Sequence, residues 1–445
     1  MSMSKGLQAS ERVKWIQRGA LAMLVVAGAI NYVDRATLAV ANPRIRDELG
    51  LSISDMGYLL SAFLWAYAFA QLPTGAMVDR LGPRLLLTIG LTLWSGAQLL
   101  GGLVRGFGEF FGARVLLGIG EAPQFPTGAR VVRDWFNARD RGLATGIFNC
   151  ASSLGTAIAV PTLTFLMLTF GWRTMFVIMG VAGLVMAAIW YVAYRNPTDV
   201  ALTTAENAYR TEGHPPGERT KVTWREWKLL FRFRTTWGMI LGYFGCIYLT
   251  WIYTAWLPGY LEIERHMSVK FTGVAAAIPF AWGVVGGVCG GFIADFLVRR
   301  GVSPVKSRRY PAAIALCGTS ICTVAAAYVT SDTLAIAFIS ASLFLVYVTS
   351  TCAWALSSVA APTNCTASIG AMQNFGGYLG GALAPTVTGL IVQHTGSFVP
   401  ALVVGAVIGI ASAACYVFVV DQPITAIDMD EVSASGDFPL RARGA

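Results

Sequence analysis

Long apolar runs govern what this chain can become. From Gly19 to Val33 it carries fifteen residues without a charge, and comparable runs recur almost to the C-terminus. They cover roughly 20–41, 56–78, 85–104, 108–129, 142–168, 173–194, 236–261, 272–296, 311–330, 334–357, 367–392 and 398–420, twelve in all. Each is close to the ~20 residues an α-helix needs to cross the hydrocarbon core of a bilayer. Only helices and closed barrels satisfy their backbone polar groups in lipid. Charged residues make up 13% of the chain, against about 25% in soluble globular proteins, too few to cover a water-facing surface. The pattern predicts an all-α polytopic membrane protein with twelve transmembrane helices.

Basic residues predict which side each connection faces. With the N-terminus in the cytoplasm, 25 of the 33 Lys and Arg fall on cytoplasmic segments and six on the opposite side. The remaining two, Arg35 and Arg114, lie inside spans. Both termini are therefore expected in the cytoplasm. The net charge of +9 reads as a record of insertion, and no nucleic-acid partner is expected. The first apolar run mimics a signal peptide, but Asp34 and Arg35 interrupt it and further spans follow, so it reads as an uncleaved helix. Three scattered His and eight Cys without a C-x-x-C pair give no reason to expect a metal, a cofactor or a disulfide framework.

Segment 195–235 is polar and of mixed charge. It separates a six-helix bundle over 1–194 from a second over 236–420 and reads as a cytoplasmic linker with a short surface helix. Its stretch KVTWREWKLLFRFR interleaves aromatic and basic residues, which suits the headgroup layer. A polar tail, 421–445, is expected to be disordered. The two halves also repeat. GAMVDRLGPR from Gly75 matches GFIADFLVRR from Gly291 at an offset of 216, pairing Asp79 with Asp295 and Arg84 with Arg300. Spans five and eleven match at an offset of 225, pairing Asn149 with Asn374, Gly155 with Gly380 and Gly171 with Gly396. Two pseudo-symmetric six-helix units around a cavity are one solution to alternating access. The acids at Asp79 and Asp295 stand at helix ends beside Arg80 and Arg84, and predict a latch on the cytoplasmic side.

Four ionisable residues stand well inside spans: Asp34, Arg35, Arg114 and Glu121. Each costs about 2.5–3.5 kcal/mol on insertion scales. Their signs cancel, so pairing lowers that cost. Arg114 and Glu121 are two turns apart on one helical face, and Gly118 and Gly120 between them allow another helix to approach closely. Neighbouring Asp34 and Arg35 point about 100° apart and cannot serve one partner together. A static clamp between spans one and four is one reading, although a buried ion pair is often no more stabilising than apolar packing. The other is traffic. A guanidinium takes a carboxylate through two parallel hydrogen bonds. A carboxyl in a low-dielectric cavity is drawn toward neutrality by burial and toward ionisation by an arginine. Its protonation can therefore follow the arginine's choice of partner. The second half has no mid-span charge; its candidate contacts are Tyr253 and Trp256, Thr351 and Trp354, Gln373 and Asn374. No nucleophile–base pair suggests an enzyme.

GAMVDRLGPR and RVLLGIGEAP resemble signatures of the major facilitator superfamily. NYVDRATLAVA, GIGEAPQFPTGARVVRDWF and AWALSSVAAP resemble one branch, the anion:cation symporter family, and within it the bacterial galactonate and glucarate transporters. The resemblance covers all twelve spans. It implies proton-coupled import of an organic anion, often a sugar acid, through the bacterial inner membrane by a chain that works as a monomer. It implies proton-carrying roles for Asp34 and Glu121, a substrate-carboxylate role for Arg35, and a coupling role for Arg114. Tyr32, Tyr67, Thr351, Trp354 and Asn374 match positions that line the site. Relatives can carry Gln where this chain has Ser152, with Asn149 nearly one turn earlier, which leaves open the hydroxyl pattern being read. An aromatic or dicarboxylic acid, or an uncoupled anion facilitator, are the alternatives.

Overall fold

The computed structural model describes residues 9–137, 140–212, 224–361 and 365–425. No strand occurs among them. The helices are α1 (Glu11–Leu49), α2 (Ile53–Gly101), α3 (Phe107–Glu121), α4 (Gln124–Trp135), α5 (Arg141–Ala193), α6 (Thr204–Thr211) and α7 (Trp224–Leu230). They continue with α8 (Arg234–Ile263), α9 (Val269–Ala275), α10 (Ala277–Arg299), α11 (Lys306–Tyr328), α12 (Asp332–Ala360), α13 (Thr366–Thr395) and α14 (Val399–Phe418). Nine helical stretches among the described residues are long and apolar enough to cross a membrane.

The long helices α2 and α5 are each two rods. Gly82 breaks α2 at φ 76°, ψ 159° and Gly171 breaks α5 at φ 81°, ψ 161°. That region is essentially reserved for glycine, so the chain turns where the apolar runs at 56–78 and 142–168 give way to their successors. The apolar run at 108–129 keeps right-handed helical dihedrals, φ −55°, ψ −35° at Ala122 and φ −68°, ψ −19° at Pro123, but its hydrogen-bond ladder has a gap there. It is interrupted at Ala122–Pro123 between α3 and α4. Pro123 has no amide hydrogen to give the Ile119 carbonyl, and Pro126 none to give Ala122. Counting twelve crossings takes α2 and α5 as two each, α3 with α4 as one and α9 with α10 as one.

Two units separate by their internal contacts: Met1–Leu49 with Ala62–Glu218, and Gly50–Ser61 with Arg219–Ala445. In the first, α1 packs along α5; in the second, α8 packs along α13 and α14, and α12 along α10 and α11. The duplication is written in the backbone. Residues with positive φ stand at Gly50 and His266, 216 apart, and at Gly171 and Gly396, 225 apart. It is also written in side chains. At the end of α1, Glu48 accepts from Trp172 Nε1 at 2.5 Å and Arg173 Nε at 2.8 Å. At the end of α8, Glu264 accepts from Ser397 Oγ at 2.9 Å and the Phe398 amide at 3.1 Å. Glu48 and Glu264 are 216 apart, and their partners 225 apart.

In the linker, α6 is docked on the first unit. Thr203 and Glu206 form a capping box at its start. Ser10 Oγ donates to Glu206 at 2.7 Å, the Tyr209 hydroxyl donates to Asp140 at 2.9 Å, and Gln17 reaches both Tyr209 and the Trp135 carbonyl. Residues 213–223 and 426–445 lie outside the described residues. The start of the tail is held rather than free. The Ile424 amide donates to the Ala360 carbonyl at 2.8 Å, Thr235 donates to the Gln422 carbonyl, and Arg309 donates to that of Val420. Ile424 is buried, so its apolar side chain explains why this piece of a polar tail stays down.

Candidate functional site

The four mid-span charges converge inside the first unit. Arg35 Nε lies 2.7 Å from Glu121 Oε2, joining α1 to the last residue of α3. Asp34 and Glu121 are fully buried, Arg114 is 2% exposed and Arg35 5%. None of them faces lipid. As the helical geometry requires, Asp34 does not share Arg35's partner by hydrogen bond. It lies in the field of Glu121 and Arg114, next to the indole of Trp94. The Asn31 amide stands beside Glu121 as Trp94 does beside Asp34, yet no hydrogen bond of full geometry reaches either Asp34 oxygen, Glu121 Oε1 or the Asn31 amide among the described residues. Thr37 fixes the backbone at this point, donating to the Asp34 carbonyl at 2.7 Å and accepting from Gln98 at 3.0 Å.

The close approach expected at Gly118 and Gly120 is present. A methyl group added to Gly118 would strike the Phe63 carbonyl and come within 3.0 Å of the Tyr67 amide; one added to Gly120 would come within 2.6 Å of the Trp94 amide. These glycines let α3 lie against both rods of α2, and so deliver an aromatic cage. The Arg35 guanidinium carbon lies 4.8 Å from the Tyr32 ring centroid, 5.2 Å from Phe63 and 4.8 Å from Tyr67. Phe63 also lies 5.1 Å from the Arg114 guanidinium, so one ring serves two cations. Each such contact contributes roughly 0.5–2 kcal/mol, more when desolvated. Gln71 donates to the Tyr67 hydroxyl at 2.8 Å. Ser152 of α5 is half-buried, within reach of the Tyr32 hydroxyl. The side chains of Asn149 and Asp79 lie outside the described residues. Phe63 and Asn31 are the members of this cluster that charge-based reading misses; Phe63 is one turn before Tyr67, which was the available signal.

In the second unit the candidates separate. Trp354 Nε1 of α12 donates to the Tyr243 hydroxyl of α8 at 2.9 Å, and that hydroxyl is 3.3 Å from Ser350 Oγ. Thr351 donates to the Gly287 carbonyl at 3.0 Å. Gln373 is fully buried with neither amide atom partnered among the described residues, and Asn374 is half-buried beside it. Tyr253 is not brought to this group. It stands ten residues, about 15 Å, further along α8. Its hydroxyl is 2.8 Å from Thr323, which is 3.0 Å from Ser342, in a buried seam between α8, α11 and α12. Trp256 likewise packs inward, donating to the Pro385 carbonyl. Of the latch residues, Arg84 donates through Nε and Nη2 to the Tyr191 carbonyl at 3.0 and 2.8 Å, while Arg80 and Asp295 are exposed. No cluster of His, Cys, Asp and Glu suited to a metal occurs among the described residues.

Residues 24–385 match the family model described as Major Facilitator Superfamily. The "Probable L-galactonate transporter" of Escherichia coli (strain K12) is 43% identical over 418 residues, covering 94% of this chain and 92% of that protein. The "D-galactonate transporter" of Escherichia coli O6:H1 is 34% identical, covering 90% and 94%. The "Hexuronate transporter" of Bacillus subtilis (strain 168) is 30% identical, covering 89% and 93%. Among solved structures, a bacterial homolog of the human lysosomal transporter Spinster superposes with a TM-score of 0.74 at 19% identity, covering 90% of this chain and 96% of that one. The D-xylose-proton symporter does so with a TM-score of 0.71 at 15% identity, covering 91% and 98%. At those identities the structures speak for the fold alone. The chain is a multi-pass membrane protein that belongs to the Major Facilitator Superfamily, and within it stands beside bacterial transporters of galactonate and hexuronate.

Proposed function

We propose that this chain is a proton-coupled symporter that imports a sugar acid (a hexonate, hexarate or hexuronate) by alternating access across the bacterial inner membrane, with both termini cytoplasmic. The observation that carries the reading is the buried Arg35–Glu121 pair inside its aromatic cage, with Asp34 alongside. The names of the relatives supply the substrate class.

The chemistry follows from competition for one guanidinium. While Glu121 is ionised, it occupies Arg35 Nε. A proton on Glu121 removes the competing charge, and Arg35 can then accept a substrate carboxylate through two parallel hydrogen bonds. Asp34 is a second proton station, and Arg114 links the two acids by charge. Neutral acids cost less to enclose than ions, so protonation favours crossing of the loaded state, and the empty carrier returns with Glu121 paired to Arg35. Return of Glu121 to Arg35 accompanies release of the substrate. Two acids set a ceiling of two protons for this pair.

The test is uptake into proteoliposomes. An imposed inward proton gradient should drive galactonate above its external concentration, with sugar acids outcompeting phthalate and short dicarboxylates. Uptake that only equilibrates would reject coupling and leave a facilitator. Competition won by phthalate would reject the sugar acid.

A further inference from the structure

Among the second unit's candidate contacts, Trp354 is 46% exposed, yet its indole N–H is already engaged by Tyr243. Their rings meet edge to face, 6.2 Å between centroids at 79°. Tyr243 is itself fixed. It is 3% exposed, its hydroxyl lies against Ser350, and Gly377 of α13 leaves room for its ring: a methyl group there would come within 2.6 Å of the Tyr243 Cδ1 atom. A methyl group at Gly370, two turns earlier on α13, would lie 3.7 Å from the Trp354 indole. Gln373 stands between these glycines on the same helical face.

We infer that Tyr243 is a positioning residue for substrate selection: by occupying the indole N–H it holds Trp354 so that a ring face, and not a hydrogen-bond donor, is what the substrate meets. An indole face suits the C–H face of an extended polyol chain. Hydrogen bonding to the hydroxyls then falls to an accessible amide, the half-buried Asn374, with the unspent amide of buried Gln373 beside it. A tryptophan with a released N–H could rotate out of that stacking and present its polar edge instead. This inference rests on the sugar-acid reading above.

A double-mutant cycle tests it. Tyr243→Phe should raise the KM for galactonate about fivefold, the equivalent of one neutral hydrogen bond, with maximal rate within about twofold. In a Trp354→Phe background, Tyr243→Phe should change nothing further, because the N–H it served is gone. Additive losses from Tyr243→Phe and Trp354→Phe, or an unchanged KM in Tyr243→Phe, would overturn the role. Should either variant lose transport, the same cycle is read from galactonate binding by isothermal titration calorimetry, which needs binding alone. Wild-type protein that takes up no sugar acid would instead refute the proposed function, so the two failures are distinguishable.

Discussion

Arg35 is held in two independent ways: by Glu121 through a 2.7 Å ion pair, and by Tyr32, Phe63 and Tyr67 through ring faces at 4.8, 5.2 and 4.8 Å. In the proposed cycle the first contact depends on a proton and the second does not. The cage would then keep the guanidinium in place when Glu121 lets go, presenting it to a substrate already oriented.

Lysine should not replace this arginine. Arg35→Lys keeps the charge but loses the planar fork and much of the attraction to the rings. The KM for galactonate should rise by at least about tenfold, corresponding to about 1.4 kcal/mol. Initial rates of uptake measure it, and a KM within twofold of wild type would remove Arg35 from the substrate's path.

The acids should fail differently from the arginine. Glu121→Gln and Asp34→Asn cannot carry a proton, so gradient-driven accumulation should be lost in each. Exchange of external for internal galactonate needs no net proton movement and should persist in Glu121→Gln. Counterflow in preloaded proteoliposomes should match wild type in Glu121→Gln, whereas gradient-driven accumulation equal to wild type in that variant would end its coupling role.

Glu48 and Glu264 should matter to stability more than to substrate affinity. Glu264→Ala removes two charge-assisted hydrogen bonds to the turn before α14, and should cost on the order of 2 kcal/mol. Glu48 is about half exposed, so Glu48→Ala should cost less, about 1 kcal/mol. Thermal unfolding in detergent ranks the two. A larger loss at Glu48 would contradict the reasoning from exposure.

Docking of α6 should loosen in acid. The Thr203 amide, first, and the Ser10 hydroxyl hold the Glu206 carboxyl below its ordinary value. A lowered value means that the ionised form is the one stabilised by folding. Its contribution is present at neutral pH and is lost as pH falls through the lowered value. Protease cleavage within 195–212 should therefore stay slow at neutral pH and accelerate below the usual carboxylate range. Glu206→Gln should be cut at a rate independent of pH across that window; a wild-type rate that does not rise in acid would refute the assignment.

The charge cluster was legible because charge is so costly in a span that Asp34, Arg35, Arg114 and Glu121 could not be incidental. Gly118 and Gly120 were legible for a similar reason, since helix faces that lack side chains invite backbones. The interruption beside Glu121 was spelled by Pro123 and Pro126, but apolar runs do not record a gap in the hydrogen-bond ladder. Tyr243 and Tyr253 could not be told apart. Both are aromatic residues on one helix, and only the neighbour each meets, α12's tryptophan or α11's threonine, decides its part. Glu48 and Glu264 do fall at the repeat offset. Their partners share no chemistry, Trp172 and Arg173 in one unit and Ser397 and a main-chain amide in the other, so residue matching passes over them.

That mismatch separates what the fold requires from what it leaves open. In each unit a carboxylate at the end of the first long helix tethers it to the bend after the fifth span, and any hydrogen-bond donor on that bend can serve.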